Sequence, residues 1–298
     1  MKHWKPAVIA ALWSGALYAA PMPVVASFSI LGDVAQQIGG ERVTVQNLVG
    51  ANQDAHAYNL TSSDIKKIRE ARLVLLNGLG LEKAELQRAV KQSKVASAEA
   101  TAGIKPLAAD EHHHEHNHGH DHDHGEFDPH VWNDPVLMQR YAANVAIALI
   151  KADPAGSRYY QQRFKDYQNV LNQLNNYANQ QFGAVAPAKR KVLTGHDSFA
   201  YLGKRYQVKF ISPQGVSSEA EPSARQIAAI IRQIKAENVK AVFTENIKDG
   251  RMIARIAKET GVTVSGGLYA DALSSGAPAG TYADMFRYNV RVMSEAMK

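Results

Sequence analysis

From Ser157 to Phe182 the chain reads SRYYQQRFKDYQNVLNQLNNYANQQF, with no Gly or Pro and with Tyr160, Phe164, Tyr167, Leu171, Leu174 and Tyr177 at steps of three or four. That spacing predicts one long amphipathic helix. At 1.5 Å per residue it would reach about 39 Å, roughly the width of a two-domain protein. Such a helix acts as a strut and limits hinge motion, as a Gly/Ser linker would not. Its aromatic stripe is expected to pack a core rather than hold a cofactor.

On both sides of this segment, short β-branched runs alternate with helix-length amphipathic stretches. Before it come Val24 to Ser27 with Ile30 to Ile38, Val43 to Val49 with Ser62 to Ala71, and Leu73 to Leu76 with Glu82 to Gln92; a helix from Pro135 to about Lys151 follows. After it, strands are expected at Lys191 to Thr194, Val208 to Ile211, Ala241 to Thr244 and Val262 to Val264, with helices near Ser198 to Tyr206, Ser223 to Glu237, Arg251 to Glu259 and Tyr282 to Met297. The alternation implies βαβ units with parallel sheets, in two similar α/β halves. With 298 residues, the chain is long enough for two domains of roughly 100 to 200 residues, each with its own core. The expected division is a leader over 1–20, a first lobe over 21–156, the linking helix over 157–183 and a second lobe over 184–298.

Lys2 and Lys5 precede the apolar run Ala7 to Ala20, which is short against the roughly 20 residues of a membrane span and ends on the small residues Ala19 and Ala20. This is the form of a signal peptide, so the mature chain is expected to be exported, to the periplasm in a double-membraned bacterium. There is no cysteine, which excludes disulfides, thiolate metal sites, cysteine nucleophiles and a lipid-bearing cysteine. The formal net charge of +6 includes the two leader lysines, and no basic run marks a nucleic-acid partner.

Eight of the 12 histidines crowd one polar tract: His112, His113, His114, His116, His118, His120, His122 and His124. The segment 110–126 has no apolar face, so it is expected to be a mobile loop whose histidines bind metal weakly at several sites. Its H-E-x-x-H match at His114 to His118 needs a helix packed into a catalytic cleft, which this composition does not offer. Apart from His3 in the leader, three histidines remain: His56, His130 and His196. Each stands in a loop where a helix is about to begin, and His196 follows the strand Lys191 to Thr194, where ligands of open α/β sheets are bound. One such histidine alone would be read as structural; three in equivalent positions point to a site. Asp271, after the last strand region, adds a hard oxygen, and three imidazoles with one carboxylate make a four-coordinate shell suited to Zn²⁺. Glu245, at a strand end, is expected to hydrogen bond a ligand imidazole or a lobe-closing backbone N–H rather than to bind the ion itself.

Several motifs in order carry a family resemblance: DPHVWNDP (Asp128 to Pro135), TGHDSFAYLGKRY (Thr194 to Tyr206), GVSSEAEPSARQIAAIIRQIK (Gly215 to Lys235), VFTEN (Val242 to Asn246) and LYADALS (Leu268 to Ser274). The chain resembles the zinc/manganese solute-binding proteins of ABC importers, the ZnuA-like or TroA-like group (cluster A-I), over nearly all of its length from Val24 onward. The resemblance implies two (β/α) lobes joined by one long rigid helix, a metal site in the interlobe cleft, and ligands at His56, His130, His196 and Asp271. It departs from many relatives in DAHAYNLT, where Ala55 stands before the histidine in place of Pro or Glu. Manganese-type relatives tend to carry a carboxylate where this chain has His196, and nitrogen ligands favour Zn²⁺ over Mn²⁺.

The function implied is a monomeric receptor, not an enzyme, that captures Zn²⁺ and delivers it to an inner-membrane ABC permease, with a periplasmic zinc chaperone as a further partner and no nucleic acid. The alternatives are a manganese receptor of the same family and, from other classes, a zinc hydrolase or an adhesion protein. A hydrolytic zinc would keep an open water position, which four protein ligands would fill.

Overall fold

Val24 to Phe28 are buried without exception, the mark of a parallel strand covered on both faces. They form most of β1 (Met22–Phe28), which pairs in parallel with β2 (Val43–Val49) on one side and β3 (Leu73–Leu76) on the other. β4 (Ala96–Glu99) pairs with β3 and completes the order β2-β1-β3-β4. The second half repeats the plan with β5 (Lys191–Leu193), β6 (Lys209–Ile211), β7 (Ala241–Glu245) and β8 (Gly266–Leu268) in the order β6-β5-β7-β8, again all parallel. This is a computed structural model, and it describes residues 20–109 and 127–298. The expected leader and the histidine-rich tract, His112 to His124, lie outside the described residues.

The strands differ from expectation in two places: one is unexpected and one is displaced. β4 has the sequence ASAE, which lacks β-branched and aromatic residues and lies at a sheet edge, so nothing in its side chains announces a strand. The last strand is Gly266–Leu268, not Val262 to Val264. Val262 and Val264 instead pack against the outer core of the second half, and the side-chain-free Gly266 and Gly267 take the pairing with Phe243 and Thr244.

The helices are α1 (Ser29–Gly39), α2 (Ser62–Glu70), α3 (Ala84–Ser93), α4 (Leu137–Ala152), α5 (Ser157–Gly183), α6 (Ala200–Tyr206), α7 (Ala224–Glu237), α8 (Arg251–Thr260) and α9 (Tyr282–Met297). The long segment is thus one continuous helix, α5, and it packs on α1, α4, α6 and α9. Tyr160, Tyr167, Leu171 and Leu174 of the expected stripe are buried; Ala178 and Phe182 continue it, while Phe164 and Tyr177 are only half-buried. Its start is anchored at Asp153, which accepts from the Tyr160 hydroxyl at 2.7 Å and from Arg42 Nη2 at 2.7 Å.

The two lobes do not have separate main cores. A single apolar cluster runs from Phe28 and Ile30 through Trp132, Tyr160 and Leu171 to Phe199, Tyr282 and Phe286, and each lobe adds only a smaller outer cluster. Polar contacts reinforce this joint: Arg205 on α6 clasps Asp134 (Nε to Oδ2 2.9 Å, Nη2 to Oδ2 2.7 Å), and Asn133 Nδ2 donates to Ser198 O at 2.8 Å. A cavity in this shared core should be felt by both halves. Leu171→Ala is expected to lower the unfolding free energy by about 2–5 kcal/mol in one cooperative denaturant transition, monitored by circular dichroism. Two separated transitions would show that the lobes hold together independently.

Candidate metal centre

The four candidate ligands come from four loops at the carboxyl ends of the strands or beside them. His56 lies between β2 and α2, His130 in the segment leading into α4, His196 between β5 and α6, and Asp271 just beyond β8. Both sheets reverse their strand order about a central strand, β1 in one and β5 in the other, and such switch points open a crevice beyond the strand ends. The structure brings all four together: one donor atom from each lies within 4.8 Å of the others. His56 Nε2 is 3.2 Å from His130 Nε2 and 3.5 Å from Asp271 Oδ2. His130 Nε2 is 3.5 Å from Asp271 Oδ1, and His196 Nε2 is 3.1 Å from Asp271 Oδ2. Donors about 2.0–2.2 Å from a common centre in a tetrahedron stand about 3.3–3.6 Å apart, so most of these spacings are close to those of a small divalent cation's shell.

The opposite sides of the rings are held by carboxylates. His130 Nδ1 donates to Asp128 Oδ1 at 2.7 Å, and the His130 backbone N–H donates to the same oxygen at 2.9 Å. His196 Nδ1 donates to Glu245 Oε2 at 2.6 Å, while Glu245 Oε1 accepts from the backbone N–H groups of Gly195 at 2.9 Å and His196 at 3.1 Å. With Nδ1 protonated, each Nε2 lone pair is turned inward as a ligand. Gly195 makes room for this: a Cβ there would stand 3.1 Å from the Glu245 carboxyl group. Glu245 can reach the ring because β7, which it ends, is paired directly with β5.

The charges are out of balance at the centre. His130, His196 and Asp271 are fully buried and His56 is 7% exposed, yet His196 Nε2 and both Asp271 oxygens have no hydrogen-bond partner among the described residues. Burial would push the His130 imidazole down, but Asp271 and Asp128 beside it hold its pKa up at about 9. Against the same desolvation, Glu245 and Asp271 hold His196 well above the usual imidazole range. Burial would raise Asp271, but His196 and His130 keep it well below the usual carboxylate range. The site is built for positive charge facing a carboxylate, and a divalent cation supplies that charge with better geometry than protons do.

Residues not singled out from the sequence position these loops. Asn77 Nδ2 donates to Pro129 O at 3.2 Å, and its Oδ1 accepts from the Tyr141 hydroxyl at 3.0 Å. The Tyr201 hydroxyl donates to Asp128 O at 2.7 Å, and Trp132 Nε1 donates to Ala270 O, next to Asp271, at 2.8 Å. One local signal does connect two of the loops: Asp54-Ala55-His56 and Asp128-Pro129-His130 share an Asp two residues before the histidine, and in both the Asp Oδ1 accepts the histidine N–H at 2.9 Å. This local turn sets the backbone of both ligand loops.

The family described as zinc-uptake complex component A, periplasmic, matches residues 24–296. Among curated proteins, the manganese-binding lipoprotein MntA of Bacillus subtilis is 32% identical over 287 residues, covering 93% of this chain and 90% of its own length. Among solved structures, the periplasmic zinc binding protein TroA from Treponema pallidum superposes with a TM-score of 0.84 at 25% identity, covering 93% of this chain and 99% of that one. The manganese-bound form of a serine-to-alanine mutant of a periplasmic metal binding protein from Candidatus Liberibacter asiaticus does so with a TM-score of 0.81 at 29% identity, covering 93% and 100%. The fold, the length of chain matched and the inward-facing donor cluster agree, and the chain belongs to the ZnuA/TroA-like family of periplasmic metal-binding proteins that serve ABC importers.

Proposed function

We propose that this chain is a zinc receptor: it captures one Zn²⁺ in the periplasm through His56, His130, His196 and Asp271 and hands it to an inner-membrane ABC permease. The observation that carries the reading is the buried convergence of three imidazole nitrogens and one carboxylate whose oxygens make no hydrogen bond to the described residues. Three nitrogens and one oxygen suit Zn²⁺ better than Mn²⁺, and four of the donor pairs stand 3.1–3.5 Å apart in a cluster no wider than 4.8 Å, near the spacings of a compact shell. Four protein donors occupy every position of such a shell, which argues against a hydrolytic zinc with its open water site.

A second reading, a manganese receptor, is favoured by two observations. Both Asp271 oxygens face the centre and could bind as a pair, raising the coordination number, and relatives such as MntA are named for manganese. Because a nitrogen and oxygen site binds Zn²⁺ more tightly than Mn²⁺ whatever its cargo, the metal carried by the protein isolated from its own compartment, with both ions supplied, separates the two: zinc content near one per chain is expected, and manganese content near one per chain would favour the second reading. In a chain lacking 110–126, which removes the tract histidines, His130→Ala should weaken the tight site by well over 100-fold, beyond the roughly 10 to 100-fold of lost supporting contacts. Unchanged affinity would remove the site assignment.

Proton competition gives an independent check. His130, with its pKa held at about 9, and His196, also raised, carry protons at neutral pH until a cation displaces them. Affinity should therefore fall continuously as the pH is lowered from about 9, a wider range than the ordinary imidazole value near 6.5 implies. Calorimetry at pH 7 in buffers of different ionisation enthalpy should show more than one proton released per cation. Proton-neutral binding would contradict the raised imidazole pKa values.

A further inference from the structure

The centre is shut on nearly every side, since three of its four ligands are fully buried and only His56, 7% exposed, reaches toward the surface. Beside His56 lies a strap from the other lobe, the segment Gln214 to Glu219 between β6 and α7. Its contacts run to both ligand loops. Ser218, fully buried, donates through its hydroxyl to Asp54 Oδ2 at 2.5 Å, and Asp54 Oδ1 holds the His56 backbone N–H at 2.9 Å. At the strap's other end, Gln214 is bridged to His196, and Gly215 O accepts from Asp197 N at 3.1 Å. A second tie, Lys83 Nζ to Glu219 Oε1 at 2.8 Å, again crosses between the lobes. The loop that carries His56 is also tied to the other lobe at Asn52, whose N–H donates to Leu273 O at 2.8 Å and whose Oδ1 accepts from Asn246 Nδ2 at 3.0 Å, while the contacts of Trp132 with Ala270 O, Tyr201 with Asp128 O and Asn133 with Ser198 O are buried in the joint.

Building on the receptor reading, we propose that the Asp54–Ser218 hydrogen bond, backed by Lys83–Glu219, is a latch over the mouth of the site, and that the cation passes in and out when this strap lifts while the lobes stay joined. Ser218 and Asp54 are then positioning residues that control the rate of exchange more than the strength of the bound state. A latch slows both directions, so its loss accelerates both. A residue that only props up His56 would raise dissociation alone and weaken binding.

Stopped-flow measurement with Zn²⁺ as the probe decides between them, with dissociation started by excess chelator. The signal is the fluorescence of Trp132, whose ring centroid lies 5.1 Å from that of His130; the other two tryptophans, Trp4 and Trp13, are in the expected leader. Ser218→Ala should raise both the association and the dissociation rate by about tenfold or more, the factor carried by a lost hydrogen bond to a charged group, while Kd changes by less than either rate. Lys83→Met, at the protein surface, should move both rates in the same direction by a smaller factor. Rates unchanged in both variants, or faster dissociation with unchanged association and a weaker Kd, would overturn the latch. If tight zinc binding, read in the chain lacking 110–126, proves indifferent to His130→Ala, the receptor site itself is wrong and the latch falls with it; if His130→Ala abolishes tight binding but Ser218→Ala leaves both rates alone, only the latch is lost.

Discussion

Asp271 is a fully buried carboxylate that, among the described residues, faces only the imidazoles of the site, and much of the surrounding architecture makes that placement tolerable. An isolated buried charge is costly, so it survives only where positive charge is held against it. Two imidazoles with strongly raised pKa values provide that charge in the absence of a cation, and each is backed in turn by its own acid, Asp128 or Glu245. The result is a chain of alternating charge, carboxylate to imidazole to carboxylate, in a region closed to solvent. Replacing two protons by one divalent cation keeps the sign of this arrangement and gives the orphaned donor atoms a partner, and metal capture follows from the same electrostatics that holds the protonated site together.

That arrangement requires loops from two lobes to meet within a few ångströms, and the shared core is what holds them there. The segment Asp128 to Asp134 does most of the joining. It contributes His130 to the centre, sends Trp132 to Ala270 O, accepts the Tyr282 hydroxyl on Trp132 O at 2.9 Å, and ends in the Asp134–Arg205 pair. With α5 packed along both halves, wide opening about a hinge would have to break a continuous apolar cluster. Motion is therefore left to surface segments that the core does not include, which is why the strap near Ser218 rather than the lobe interface carries the exchange of cargo in this account.

Local pattern in the amino-acid sequence already specifies the period of α5, the buried runs of β1 and β3, and the helix that begins at Tyr282, because helices and central parallel strands are set by which positions must be apolar. The ligand candidates are legible for a different reason: few histidines lie outside the polar tract, and each remaining one stands at a loop where α/β sheets bind ligands. Features that depend on long-range contact are hidden from such patterns. β4 exists because β3 offers an edge to pair with, not because ASAE favours a strand. The last strand settles on two glycines because Val262 and Val264 are claimed by the outer core. Asn77, Tyr201 and Ser218 gain their roles only from partners distant in sequence, and no spacing rule connects them.

One cation is expected to sit among His56, His130, His196 and Asp271, and diffraction from zinc-loaded crystals, collected on both sides of the zinc absorption edge, locates it. An anomalous-difference peak should lie about 2.0–2.1 Å from each Nε2 of the three histidines and about 2.0–2.2 Å from an Asp271 oxygen. A peak coordinated by other residues, with these four left facing one another, would contradict this placement.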